Sequence, residues 1–213
     1  MTLESTKILG GIGAILMFIG VLPTINYLGI IEIIGLILVL VGLRSLANYY
    51  RERGIFRHAV YGVAVAVVGG IITGVLAVAV VLSNIKDLLT QVYPGWNGDW
   101  STLQGMTPNT TNFDVSNIFP LISGLLVVLV LVWVVTIVAA FFIYRSLKQV
   151  SNKSNVGLFG TAGLILLIGA IIPIVGLILM WLSALLLAIA FFTLKTSEQT
   201  MTAAPSPPQP TTI

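Results

Sequence analysis

Residues 125–142 read LLVVLVLVWVVTIVAAFF, eighteen positions without a charge. A helix rises about 1.5 Å per residue, so some 20 apolar residues cross a hydrocarbon layer of about 30 Å. The stretch lies within a longer apolar segment, 118–144, with no alternation of the kind a barrel strand shows. A helix satisfies its own backbone in lipid, so a membrane-spanning helix is the reading. Its bulky, β-branched surface suits contact with acyl chains.

Five more apolar segments follow the same pattern, at 8–22, 27–43, 59–83, 156–172 and 174–194. The whole chain has 213 residues, 57% hydrophobic and 8% charged. Soluble domains carry about 25% charged residues, and three times fewer cannot cover a wetted surface. The expected fold is all-α: a polytopic bundle of six transmembrane helices, in one domain over residues 1–195, with a Pro/Thr-rich tail at 196–213. The first apolar run ends at PTIN without a small-residue cleavage site, so it is expected to remain as a span.

The segment pairs 8–22/27–43 and 156–172/174–194 look alike. Each is a short Gly-rich helix, a proline (Pro23 or Pro173) and a second helix ending near a basic residue. Proline lacks the ladder N–H and disfavours helix just before it, so both pairs read as hairpins. Two re-entrant hairpins beside four spans would give the same charge pattern. Six crossings are favoured because neither hairpin is polar enough to line a cavity.

Lys7, Arg44, Arg51, Arg53, Arg57, Arg145, Lys148, Lys153 and Lys195 fall on one side of this topology, and only Lys86 on the other. The positive-inside rule then predicts both termini in the cytoplasm and residues 84–117 outside, in a plasma membrane. The same asymmetry accounts for the pI of 9.3 without nucleic acid. The stretch RSLANYYRERGIFRH (44–58) reads as topology-setting charge, or as a helix extension lying on anionic headgroups.

The outer loop is long enough to be functional or mobile. Asn109-Thr110-Thr111 makes Asn109 a candidate glycosylation acceptor, while Asn152-Lys153-Ser154 faces inward. Asp114 or Ser116 is expected to cap the following helix. Trp96 and Trp100 suit interfacial anchoring, with a ligand cage as the rarer alternative. Trp133 and Trp181 lie mid-span and are expected to pack. The tail carries APSPPQPTTI, whose prolines preclude a packed core, so order there requires a partner.

Small residues recur every four positions at Gly62, Ala66, Gly70 and Gly74, with Gly69, Thr73 and Ala77 beside them. Such faces let another backbone approach closely. The neighbour is expected within this chain, with a second copy as the alternative.

Chemistry is sparse. There is no cysteine and a single histidine, His58. Disulfides, thiolate sites and histidine clusters are thereby excluded. Gly10, Gly11 and Gly13 in LGGIG superficially match a nucleotide loop, but no strand precedes them. No paired carboxylates or nucleophile–base set is present, so no enzyme and no cofactor are expected. One acid interrupts a lipid-like run: Glu32 in GIIEIIGLILVLVGL (29–43). It could titrate in transport, pair with Lys86 or a partner group, or sit ordinarily at the interface about 6 Å below the outer rim. Contact or interfacial placement is favoured over transport.

The stretches LGGIGAILMFIG, YYRERGIFRHAVYGV and YRSLKQVSNKSNVGLFGTAGLILLIGAIIPIVG, with AFFTLK, resemble an archaeal family of integral membrane proteins known only as a domain of unknown function. The resemblance covers residues 1–195. It implies an archaeal plasma membrane and carries over no activity and no catalytic residues. The expected role is an accessory or scaffolding subunit of a larger membrane assembly, a respiratory complex being one host considered, or a homo-oligomer. The expected partners are membrane lipids and other membrane subunits or itself. The alternative is a small transporter or channel with Glu32 near its external entrance, motivated by prolines at comparable places in both halves.

Overall fold

The computed structural model describes residues 2–21, 29–109 and 114–195. Six α-helices follow in chain order: α1 Leu3–Gly20, α2 Ile30–Tyr49, α3 Arg53–Val92, α4 Phe119–Ser154, α5 Gly157–Ile171 and α6 Val175–Phe192. Short 3-10 turns occupy Trp100–Gly105 and Val115–Ile118, and no strand occurs among the described residues. Each expected segment is thus helical, and five of the helices are long and apolar enough to cross a membrane. The exception is α5, whose 15 residues rise only about 22 Å. The Pro23 turn and the tail at 196–213 lie outside the described residues.

Two boundaries differ from expectation. α3 runs on to Val92 rather than stopping near residue 83. The reason is visible in the sequence: Ile85, Leu88, Leu89 and Val92 keep helical spacing through a stretch diluted by Asn, Lys and Asp. Likewise α2 continues past Leu43 to Tyr49, so most of the interval before α3 is helix. Arg51, at φ 52°, reverses the chain between them.

The chain falls into two compact units, one built on Met1–Gly62 with Ala140–Ile213, the other on Val63–Ala139.

In the first unit, α1 and α2 form an antiparallel pair held at glycines. A Cβ on Gly13 would lie 2.7 Å from the Gly35 carbonyl oxygen, and one on Gly35 would lie 2.6 Å from that of Gly13. The backbones therefore touch, which only glycine permits. Nearer the chain start, the Thr6 and Ser45 hydroxyls hydrogen-bond at 2.5 Å. α5 and α6 repeat the device: a Cβ on Gly169 would lie 2.8 Å from the Gly176 carbonyl oxygen. Ser183 donates to the carbonyl of Ala162 at 2.8 Å. The reversal expected at Pro173 is present. It is a tight turn in which the Val175 N–H donates to Pro173 O at 2.9 Å, with Ile174 at φ 69°. A β-branched residue there is strained.

α1 and α6 join the two pairs. Trp181 stacks on Phe18, centroids 4.4 Å apart, and its indole N–H donates to the Phe18 carbonyl. At the other end the Phe191 ring sits over Gly10 and touches Gly42, while Phe159 meets Phe191 edge-on at 5.1 Å. The core lies here: Phe159, Phe191, Leu46, Ile55, Leu147, Leu194 and Val150 are fully buried. The start of α3 is tied to the end of α4 by Ser146, which donates to the carbonyl of Ile55 at 2.6 Å.

In the second unit, the rest of α3 packs against the rest of α4 through alternating small and branched residues. Val135 fills the space over Gly69, and Val80 fills that over Gly124. Thr73 is buried between these levels and returns its hydroxyl proton to the Gly69 carbonyl. The outward face of α4 is bare: Leu126, Val127 and Leu129 are all more than half exposed. That agrees with a lipid-facing surface. Trp181 packs as expected, but Trp133 is 41% exposed.

Candidate functional site

The glutamate that interrupts the apolar run stands in the first turn of α2, because the helix begins at Ile30 after Gly29 turns the chain at φ 67°. No side chain caps that end. A carboxylate in a first turn faces the unsatisfied N–H groups and the positive end of the helix dipole. Glu32 thus meets a local need of its own helix. Its backbone abuts Gly20, where an added Cβ would lie 3.0 Å from the Glu32 nitrogen, and its side chain is exposed.

Lys86, its expected partner, belongs to the second unit. It lies on the continuation of α3, exposed, with its stem running 3.7 Å from the position a Cβ would take at Gly98. Among the described residues the one ion pair is Lys153 with Glu52, at 3.5 Å.

The small-residue faces of α3 separate in role. Gly69, Thr73 and Ala77 turn towards α4, with Thr73 buried. Of the other face, Gly62 is buried, whereas Ala66, Gly70 and Gly74 are exposed. Nothing lies within 4 Å of a Cβ added at Gly70 or Gly74. Within the second unit this face is therefore left unfilled along Ala66–Gly70–Gly74. Branched residues on α4 pack onto the neighbouring stripe instead. Close helix contacts also fall at the glycines of LGGIG, which superficially match a nucleotide loop: Gly10 takes Phe191, Gly11 takes Phe192 and Gly13 takes Gly35.

The connection between α3 and α4 is organised around Trp96, which is buried and donates its indole N–H to the Asp99 carbonyl at 2.7 Å. Trp100 meets it edge-on at 5.3 Å, so each ring fills the space a cage would need. Gln91 Nε2 reaches the Asp114 carbonyl, and the Asn109 N–H donates to Val92 O at 2.7 Å. Asn109 is exposed, and the remainder of its sequon lies outside the described residues.

Asp99 and Asp114 each cap the 3-10 turn that follows, accepting from Ser101 and Ser116. Asp114 was expected to cap the long helix itself; it caps instead the short turn Val115–Ile118 that leads into α4. These bonds favour the ionised carboxyl and hold both groups below the usual carboxylate range. A depressed pKa contributes stability that is complete above the unfolded value of about 3.9 and is lost as pH falls through the folded value. The loop should therefore keep its structure at neutral pH and loosen only in acid. Hydrogen exchange at the Ser101 and Ser116 amides should accelerate below about pH 4, and Asp99→Asn should remove that step at Ser101 alone.

The first unit gathers the cations. Contacts between Thr6 and Ser45, Gly10 and Phe191, Phe159 and Phe191, and Ser146 and Ile55 bring the starts of α1, α3 and α5 to the same end as the finishes of α2, α4 and α6. Nine of the chain's ten lysines and arginines, all but Lys86, belong to this end.

Residues 31–185 match a family described as a protein of unknown function, DUF996. Over 196 residues the chain is 26% identical to an uncharacterised protein, MJ1644, of the archaeon Methanocaldococcus jannaschii, covering 91% of this chain and 94% of that protein. No solved structure matches the chain.

Proposed function

The chain belongs to the DUF996 family of unknown function, and from that premise we propose that it is a non-enzymatic, multi-pass plasma-membrane protein acting as a packing subunit of a larger membrane assembly or of its own oligomer. The observation that carries this reading is the bare face Ala66–Gly70–Gly74. Three small residues on an apolar helix lie open where a partner helix could approach to backbone contact. In lipid, tight packing of this kind is what holds helices together, since acyl chains are as apolar as leucine.

The proposed orientation puts the cation-rich end, and with it both termini, in the cytoplasm. The antiparallel α5–α6 pair supports a sixth crossing despite the short α5, with the bilayer thinning or the helix flanks compensating for the mismatch. Glu32 stands exposed on a helix rim rather than enclosed by polar groups, which favours the subunit reading over transport.

The test is gentle detergent extraction from native membranes, followed by sizing and identification of what co-purifies. A larger species is expected, and Gly70→Leu with Gly74→Leu should convert it to monomer while leaving the monomer's thermal transition within about 1 kcal/mol of the parent, as for surface positions. A lone monomer from the parent chain would remove the proposal.

A further inference from the structure

α2 leaves the apolar region through a polar recess. Val41, Arg44, Ser45, Asn48 and Tyr49 line a cavity of about 410 Å³ along one flank of the helix. Their spacing (i, i+3, i+4, i+7, i+8) puts all five on one face, while Val39, Gly42, Leu43, Leu46 and Ala47 turn to the protein interior. From Val41 to Tyr49 the lining spans about 12 Å along the helix, from one apolar residue to polar ones.

We propose that this recess binds the phosphate of an anionic membrane lipid, with Arg44 as the charged ligand, Asn48 and Tyr49 as neutral hydrogen-bonding partners, and Val41 against the start of the acyl chain. Three observations carry it. First, the Arg44 guanidinium is exposed and lies over the Phe56 ring at 5.7 Å, a contact that leaves its charge unneutralised. Among the described residues no carboxylate is paired with it.

Second, among the described residues the end of the unit where it lies has nine cations against the carboxylates Glu4 and Glu52, an excess of seven, and Glu52 is already engaged by Lys153. Phosphates at a membrane surface are a source of counter-charge for such an excess. Third, the donors match the ligand. A guanidinium offers a planar fork to phosphate oxygens, with amide and phenol groups beside it. Ser45 is spoken for by Thr6 and serves to hold the wall. A soluble anion would need only the polar residues; the apolar Val41 at one end of the lining favours an amphiphile.

The experiment uses the full-length chain in mild detergent. Native mass spectrometry would follow retention of a phosphatidylglycerol against a phosphatidylcholine of the same chains, with inorganic phosphate as a competitor. The expected result is preferential retention of the anionic lipid, weakened about tenfold by Arg44→Gln, the loss of one charge-assisted contact. Arg57→Gln, which removes an equal charge at the same end but outside the recess, should weaken it less than about threefold. Asn48→Ala alters an exposed position, leaves folding intact, and should weaken retention by several-fold, so the test survives a poorly folded Arg44 variant. Equal effects of Arg44→Gln and Arg57→Gln would reduce the site to a diffuse positive field. Equal retention of the two lipids, or displacement by inorganic phosphate at concentrations comparable to the lipid, would also overturn the proposal.

Discussion

Gly35→Ala should destabilise the protein by about 2 kcal/mol, although the same change at Gly70 should be neutral or stabilising. Alanine in a helix is worth about 1 kcal/mol over glycine, so propensity alone favours both substitutions. At Gly35 the new methyl would meet the Gly13 carbonyl oxygen at 2.6 Å and the Met17 nitrogen at 2.8 Å. Those atoms are backbone and cannot rotate away, so α1 and α2 must move apart. Overpacking of this kind costs about 1–3 kcal/mol, and a rigid contact on two sides belongs at or above the top of that range, leaving a net loss of about 2. At Gly70 the methyl meets open space, and the propensity gain stands. Thermal denaturation of the two single variants as monomers in one dissociating detergent would check the opposite signs. A loss at both positions would show that the α1–α2 contact is not special.

Phe191→Ala should cost about 3 kcal/mol, near the lower end of the range for emptying an aromatic site. The reason for the lower end is the solvent. An unfolded side chain in a bilayer or micelle remains in hydrocarbon, so the transfer component shrinks and lost packing dominates. That packing is extensive: the ring is fully buried, crosses Phe159 edge-on, covers Gly10 and reaches within 3.3 Å of a Cβ placed at Gly42. Gly10 and Phe191 should also be coupled. Gly10→Ala thrusts a methyl into the ring and should by itself disrupt the α1–α6 contact, whereas with Phe191→Leu the smaller side chain leaves room. A double-mutant cycle should return a favourable interaction of about 1 kcal/mol or more between the two substitutions. Additive losses would mean that the ring does not depend on the glycine below it.

Residue type reveals some contacts and conceals others for a definable reason. Trp181 was expected to pack, and it stacks on Phe18, because a large ring in the middle of an apolar helix gains from burial wherever a neighbour exists. Asp114 was expected to cap the fourth long helix and caps the 3-10 turn before it instead, because its bond to the Ser116 amide is local in sequence. The stripes of α3 were read correctly as faces, but not which of them is filled. Gly69 and Gly70 differ only by one step around the helix, and whether Val135 arrives over one or the other depends on the rotation of α4, which no local spacing encodes. Gly13 and Gly35 were missed as a pair for the same reason: twenty-two residues separate them, and each alone is one more glycine among twenty-one.

The sequence by itself determined that the chain is helical with segments long and apolar enough to cross a membrane, because in hydrocarbon eighteen uncharged residues in succession leave the backbone no partner but itself. It also determined the clustering of cations, since topology follows from which apolar segments intervene. Only the tertiary structure decided that Glu32 begins a helix instead of interrupting one, that the glycines of the first segment are seats for Gly35 and Phe191, and that Ala66, Gly70 and Gly74 remain open. Those outcomes turn on where a helix starts and how two helices are rotated against each other. Packing contacts between residues far apart in the chain fix both, and at this level a lipid-like sequence is nearly uniform.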